Sequence, residues 1–443
     1  VNGEKKTQVR GGTGVFTGRP PYVFISNQIG NNGVLTGFID VSGAAATNYG
    51  FTANPNKYFI PSTPTLPTTF DIALTEENYK FPQVWKSNLA VDQKLPFGFV
   101  GTVEFLFNKN LNAVHYYNAN LKGAVAQFAG ADNRLRFGGS DATVRVNNTV
   151  SNAIVLTNKN QGDYKSMTVK LEMPYRKGLW GSLAWTTSNA TDFMSAGSIA
   201  SGSWTGARSV NGNNDLRLSN SDFNIPNRIV GLLGYKIEYG GEYGGTTSFS
   251  IGYIGSQAGA YSYTISGDMN GDRIANNELI YVPKSATEIK FAPLTVGNIT
   301  YTEAQQQATF WNYVNQDKYL STRKGQYAER NGSVLPMLHR FDVSIVQEFF
   351  VKVKGKRNTL QFRADILNIG NRINNKWGVS QRVTNPQILA YSSTNTAGEP
   401  VYKLATQKNV DGSTTLIRDT YQKNSSVFDV WQAQIGLRYI FGR

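Results

Sequence analysis

Residues 431–441 read WQAQIGLRYIF. Trp431, Ala433, Ile435, Leu437, Tyr439 and Phe441 hold every second position, and Gln432, Gln434, Gly436 and Arg438 fall between them. Side chains alternate across a strand, so this segment has one wholly apolar face and one mostly polar face. A tilted strand of roughly 9–11 residues crosses a bilayer, and this segment has that length. It reads as a membrane-crossing β-strand.

The same pattern recurs upstream. Met167, Val169, Leu171 and Met173 alternate with Ser166, Thr168, Lys170 and Glu172, and Ile229, Leu233, Tyr235, Ile237 and Tyr239 with Arg228, Gly234, Lys236 and Glu238. Phe341, Val343, Ile345, Phe349 and Val351 alternate with Arg340, Asp342, Ser344 and Glu348, and Leu360, Phe362, Ala364 and Ile366 with Gln361, Arg363 and Asp365. Weaker versions lie at 7–16, 83–93, 99–107, 179–185 and 248–254, which makes ten strands. A one-residue slip would turn Lys170 or Lys236 toward lipid, and a Lys at the bilayer midplane costs roughly 2–4 kcal/mol, so the charges fix the register.

Alternation alone also fits a soluble sandwich, whose apolar faces meet each other. The connections decide between the two. Tight turns fall at 95–98, 176–178, 240–245 and 354–358, and between them lie long excursions at 18–80, 119–163, 189–226, 266–336 and 370–427. Compact soluble domains rarely carry structureless loops beyond roughly 12–15 residues, whereas outer-membrane barrels pair short periplasmic turns with long extracellular loops. The fold class expected is all-β, a transmembrane antiparallel β-barrel.

Composition agrees. Only 40% of the 443 residues are hydrophobic, and no apolar run reaches 18 residues, which excludes spanning helices. Barrels escape that signature because only alternate residues face lipid. Cysteine is absent, so there is no disulfide, thiolate site or cysteine nucleophile. The net charge of +14 comes from basic residues scattered through strands and loops, a pattern of solvated surface and not of nucleic-acid binding. Within the excursions, 302–320 (TEAQQQATFWNYVNQDKYL) opens with Thr302 and Glu303 and sets Ala308, Trp311, Val314 and Asn315 at helical spacing, which predicts a short helix. The Pro- and Asn-rich stretches 54–67 and 147–162 read as ordinary loop.

Several segments resemble the carboxyl-terminal half of TonB-dependent outer-membrane receptors of the Oar-like group: 10–21 (RGGTGVFTGRPP), 227–283 with its YSYTISGDMNGDRIANNELIYVP run, 339–347 (HRFDVSIVQ), 362–378 (FRADILNIGNRINNKWG) and the closing IGLRYIFGR. The resemblance implies a 22-strand barrel filled by an amino-terminal plug, and residues 1–443 are expected to be the carboxyl-terminal part of such a barrel without the plug. No signal peptide precedes the first strand, so a mature or truncated product is expected. A ten-strand barrel closed by pairing 7–16 with 431–441 is the rival architecture. The resemblance further implies a transporter without covalent chemistry, binding a peptide, glycan or siderophore at its outer loops and importing it to the periplasm. Its expected partners are outer-membrane lipid and lipopolysaccharide, the TonB complex acting through the plug, and a surface lipoprotein. A different class of function, an adhesin or scaffold whose barrel only anchors its loops, fits the same strands.

Few residues invite chemistry. Asp268, Asn270 and Asp272 (DMNGD) stand at i, i+2 and i+4, with Asn276 and Glu278 following, a spacing that converges oxygens on calcium. Arg273 and Leu279 hold the sixth and twelfth positions, where an EF-hand has Gly and Glu, so the candidate is a looser calcium site and the competing role is Asx turns. His115 and His339, the only histidines, lie in no zinc or triad motif. The glycines of 11–18 (GGTGVFTG) lack the lysine of a nucleotide loop. Trp85, Trp180, Trp185, Trp431, Tyr439 and Phe441 suit an aromatic girdle, while Tyr22, Phe24, Trp204, Tyr261, Tyr263, Trp311 and Tyr313 are candidates for solute contact. Arg228, Lys236, Arg340, Asp342, Glu348, Arg363, Asp365 and Arg438 face the lumen, where mixed signs imply pairing along the wall.

Overall fold

The computed structural model describes residues 5–30, 41–59, 70–197, 199–257 and 259–441. Ten long strands form one antiparallel sheet in chain order: β1 (Thr7–Thr17), β2 (Gln83–Lys94), β3 (Val100–Asn110), β4 (Asp163–Arg176), β5 (Leu179–Asp192), β6 (Asn227–Gly240), β7 (Tyr243–Ser256), β8 (Leu338–Val353), β9 (Lys356–Leu367) and β10 (Gln432–Ile440). All ten are the strands that alternation predicts. No described helix is long and apolar enough to cross a membrane.

Register lines the apolar side chains into continuous rows. Val9, Val91, Val103, Val169, Trp185 and Ile229 are successive cross-strand partners, and so are Leu233, Ile251, Val343, Ile366 and Ala433. These rows have nothing packed over them: Leu89, Phe105, Leu183, Leu233, Phe249 and Ile345 are all exposed. A soluble sandwich would cover this face with a second sheet, and none lies there among the described residues.

The opposite face carries the charges. Arg10 reaches across to Asp92 at 3.0 Å and Glu104 at 3.4 Å, Arg357 to Glu348 at 3.5 Å, and Arg363 lies along its own strand 2.7 Å from Asp365. Lys170 with Glu172 and Lys236 with Glu238 pair in the same way. Val230 and Leu232 share this face with Arg228 and Lys236, so it is mixed and not uniformly polar.

Three of the four tight turns are shorter than expected, with two residues each at 177–178, 241–242 and 354–355, while the fourth runs over 95–99. Lys177 and Gly178, and again Lys354 and Gly355, join their strands with positive φ at both positions (50° and 88°, 53° and 78°). That is the two-residue turn whose twist matches antiparallel strands. At the other end five long excursions gather: 18–82, 111–162, 193–226, 257–337 and 368–431.

The rival closure is not formed. Among the described residues β1 pairs only with β2 and β10 only with β9, so the sheet has two free edges and 7–16 does not meet 431–441. The edge is visible in exposure: Ile251 in mid-sheet is 39% exposed and Ile435 on β10 is 85% exposed.

The excursions correct the picture of loose loops. Apart from Ala90, no wall-strand side chain is among the buried apolar residues; the rest lie in the excursions. One cluster joins Phe128, Ile265, Ile280, Phe310, Tyr402 and Leu404 from the second, fourth and fifth excursions. Another joins Phe24, Tyr116, Ile154, Leu156, Trp204 and Ile274 from the first four. The stretch 147–162, read as loop, contains the strand Val150–Lys159, parallel to Phe70–Thr75 and antiparallel to Ala113–Asn118. Asn and Thr punctuate that strand, but Ile154, Val155 and Leu156 are buried and make it part of the core. Of 54–67, residues 54–58 make turns, residue 59 has no regular structure, and residues from 60 onward lie outside the described ones.

The predicted helix is α1 (Glu303–Gln316). Thr302 caps it: its Oγ1 accepts the N–H of Gln305 at 3.3 Å while Gln305 Oε1 accepts the N–H of Thr302 at 2.8 Å. Its buried face is Gln306, Gln307, Phe310, Tyr313 and Val314. Of the residues noted for helical spacing only Val314 lies on that face. Two buried glutamines fit because Gln306 Nε2 donates to the Ala292 carbonyl and its Oε1 accepts the Leu404 N–H, closing gaps between strands.

Candidate functional site

The loop 267–279 is held from several excursions at once. Phe137 N–H donates to the Asn270 carbonyl at 2.6 Å and Gly139 N–H to that of Gly271 at 3.0 Å. Ser209 N–H donates to the Asn277 carbonyl, Leu279 N–H returns to Ser209, and the Tyr402 hydroxyl lies 3.7 Å from Met269 Sδ. Second, third, fourth and fifth excursions therefore meet here.

Within the loop, carboxylate oxygens of Asp268, Asp272 and Glu278 all lie within 4.8 Å of one another. Asp268 accepts the N–H groups of Gly271 at 2.8 Å and Arg273 at 3.0 Å, which curls the chain around it. The sharp turn that calcium loops make with Gly at the sixth position is made here by Arg273, at φ 72°. Glu278 Oε1 accepts the N–H groups of Met269 and Asn270 at 2.9 and 3.1 Å, while its Oε2 is buried without a donor. Of the residues predicted from spacing, Asp268 and Asp272 come together. Asn270 instead braces Asp272, accepting its N–H at 2.9 Å and donating to its Oδ2 at 3.3 Å.

The electrostatics of such a cluster are costly. Burial pushes Asp272 up to about 7, with the charges of Glu278 and Asp268 adding to it and the Ile274 N–H opposing. Burial likewise pushes Glu278 up to about 7, and Asp268 is raised for the same first reason. Arg273 turns its guanidinium outward to Asp141 at 2.9 Å.

A cavity of about 670 Å³ adjoins this loop, sharing Thr264 and Asn276 with its flanks. Met194, Ile199, Ala207, Arg208, Tyr261 and Asn331 are among its walls, drawn from the third and fourth excursions, and Gln387 closes it from the fifth. Arg208 donates only to the backbone carbonyls of Gly206 (2.6 Å) and Ala207 (3.4 Å) and forms no ion pair among the described residues. Burial lowers its pKa, and Asp222 opposes that shift without pairing. Arg330, by contrast, is almost fully buried and locked to Asp192. Sequence reasoning missed this cavity because its walls are scattered over three excursions and share no spacing.

The aromatic candidates separate. Trp204, Tyr263 and Tyr313 are core residues, each 1% exposed or less, and Phe24 is buried with them, so none is free to meet a solute. Tyr261 does line the cavity; Trp311 is covered by Lys324, whose ammonium sits 4.5 Å from the ring centre; Tyr22 is exposed. His339 stands at the start of β8 and bonds the Tyr253 hydroxyl at 2.7 Å, whereas His115 is buried in the loop layer. Neither lies in the carboxylate cluster, so its donors are all oxygens.

No curated protein matches the chain. A family model described as outer membrane beta barrel domain matches residues 1–400, the greater part of the sequence. With the uncovered apolar rows, the charged opposite face and the alternation of two-residue turns with long excursions already in view, the match is decisive: the chain belongs to the outer membrane beta barrel domain family, and the bilayer that its strands face is the outer membrane.

Proposed function

We propose that this chain is the wall and outer cap of a transporter of the TonB-dependent kind, capturing a solute in the cavity of its extracellular layer for import to the periplasm. The observation that carries the reading is that the long excursions fold together around a cavity. Its volume, about 670 Å³, lies in the range of small-ligand sites. Arg208, which forms no ion pair with Asp222 on the same cavity wall and stands beside apolar Met194 and Ile199, suits a peptide-sized solute bearing an acidic group.

The free edges of β1 and β10 support a larger wall. Unpaired backbone groups in hydrocarbon cost several kcal/mol each, so spanning sheets close. The proposal therefore includes further strands continuing from both edges, a plug inside them, and an energy coupler acting on that plug. A surface lipoprotein over the cap and lipopolysaccharide around the wall complete the expected surroundings.

The test is uptake of short peptides, with and without a free carboxyl terminus, into cells bearing the intact protein. Accumulation should require both the energy coupler and Arg208; Arg208→Gln should weaken capture of the acidic peptides roughly tenfold or more. Surface binding that never becomes uptake, with or without the coupler, would replace transport by the adhesin or scaffold role.

A further inference from the structure

We propose that Asp268, Asp272 and Glu278 bind one calcium ion, which pins the loop where the second to fifth excursions meet. The three carboxylates converge within 4.8 Å, and they belong to side chains buried or nearly so. Convergence alone is a common feature of acidic loops. The second observation is Glu278: it is 0% exposed, it reaches into the cluster, and no donor among the described residues reaches its Oε2. A buried acceptor left in this state costs about 1–3 kcal/mol, more when charged, unless a ligand satisfies it. The side-chain oxygen of the neighbouring Asn277, also 0% exposed, lacks a donor as well.

Two guanidiniums act on the cluster by charge, Arg134 on Glu278 and Arg273 on Asp268, but neither donates a hydrogen bond to its carboxylates among the described residues: Arg134 contacts Asp132 at 2.9 and 2.8 Å and Arg273 is turned to Asp141. Three carboxylates without His or Cys suit a hard cation, and calcium tolerates an irregular oxygen shell that magnesium does not. Glu278 takes the part of the last acidic ligand one residue earlier than in an EF-hand, and Arg273 in the left-handed region makes the turn that brings it back. Asn270 is a positioning residue: it holds Asp272 from both sides.

This inference is independent of whether the barrel transports anything. The experiment is calorimetric titration of calcium and of magnesium into the full chain, extracted from the outer membrane in detergent and stripped with chelator. The variants are Glu278→Gln, Asp272→Asn and, as a remote control in the tight turn between β6 and β7, Glu242→Gln. One calcium per chain is expected, in or below the range of extracellular modules, roughly 0.1–1 mM. Binding should weaken at least tenfold in the two cluster variants, stay unchanged in Glu242→Gln, and exceed binding of magnesium. Chelation should also hasten proteolysis of the excursions in the wild-type protein. Absence of calcium binding up to about 10 mM in folded wild-type protein would overturn the proposal. So would equal binding by the cluster variants. Should a variant misfold, the wild-type titration and the chelation experiment decide alone.

Discussion

The phenol of Tyr263 donates to the Asp317 carboxylate at 2.6 Å, and both side chains are buried at the end of α1. The other carboxylate oxygen accepts the N–H groups of Tyr319 and Leu320 at 2.9 and 2.8 Å, so a single aspartate ties the helix end, the turn after it and the strand region before it. Asp317→Ala leaves the N–H groups of Tyr319 and Leu320 unpaired and the Tyr263 hydroxyl with only the phenols of Tyr313 and Tyr261 at 3.3 and 3.4 Å, and should destabilise the loop layer by about 2–4 kcal/mol, with Tyr263→Phe costing about 1–2 kcal/mol. Hydrogen exchange of α1 amides in the two single variants and the double variant checks this; additive losses would mean the pair is not coupled.

The two faces of the wall make opposite demands on charge. Ile251 sits mid-strand on β7 in the uncovered row, and Ser250 beside it faces the charged side. Ile251→Lys should cost roughly 2–4 kcal/mol on folding into a bilayer, and Ser250→Lys much less. Equal tolerance of both, measured by refolding yield into lipid vesicles, would mean that hydrocarbon does not wet the Ile251 row.

Because the chain has no cysteine, introduced pairs report on strand neighbours without interference. Ile366→Cys with Ala433→Cys joins register partners of β9 and β10 and should cross-link under mild oxidation. Val9→Cys with Ile435→Cys, one on each free edge, should not. A cross-link there would establish the closed ten-strand barrel.

His115 makes the loop layer sensitive to acid. It is buried against Phe193 with its Nδ1 unpartnered, and burial, aided by the charge of Lys159, pushes its pKa down to about 4. An unfolded histidine titrates near 6.5, so between about 6.5 and 4 the unfolded chain holds the extra proton. Stability from this group is therefore whole above about pH 6.5 and falls as pH drops toward 4, by at most about 3 kcal/mol. Asp272 and Glu278, whose raised carboxyls favour the folded layer as pH falls below about 7, act in the opposite sense. The His115 contribution is therefore read as a difference: between about pH 6.5 and 4 the excursions of the wild-type protein should lose protease resistance relative to those of His115→Phe.

The wall was legible because its rule is local: Lys170, Lys236 and Arg363 each forbid a one-residue slip, and period two repeats over ten segments. Thr302 and Gln305 announced α1 for the same reason. The excursions obey no such period. Ile154 shares a core with Trp204, and Phe310 meets Phe291, through packing that only the closed chain creates, and a strand such as Val150–Lys159 is hidden by its polar neighbours. For the candidate cluster, spacing found Asp268 and Asp272 but credited Asn270 with a ligand's role. Its side chain is spent on Asp272, and Glu278 arrives because the chain turns back at Arg273.

Almost every buried apolar side chain belongs to the excursions, and almost every exposed apolar row belongs to the wall. The two layers thus answer to different solvents. Trimming a leucine in the cap opens a void against protein, while trimming one in the wall is absorbed by mobile acyl chains. The cap is free to drift in sequence so long as its own interior stays filled, and the wall beneath it has no share in that choice.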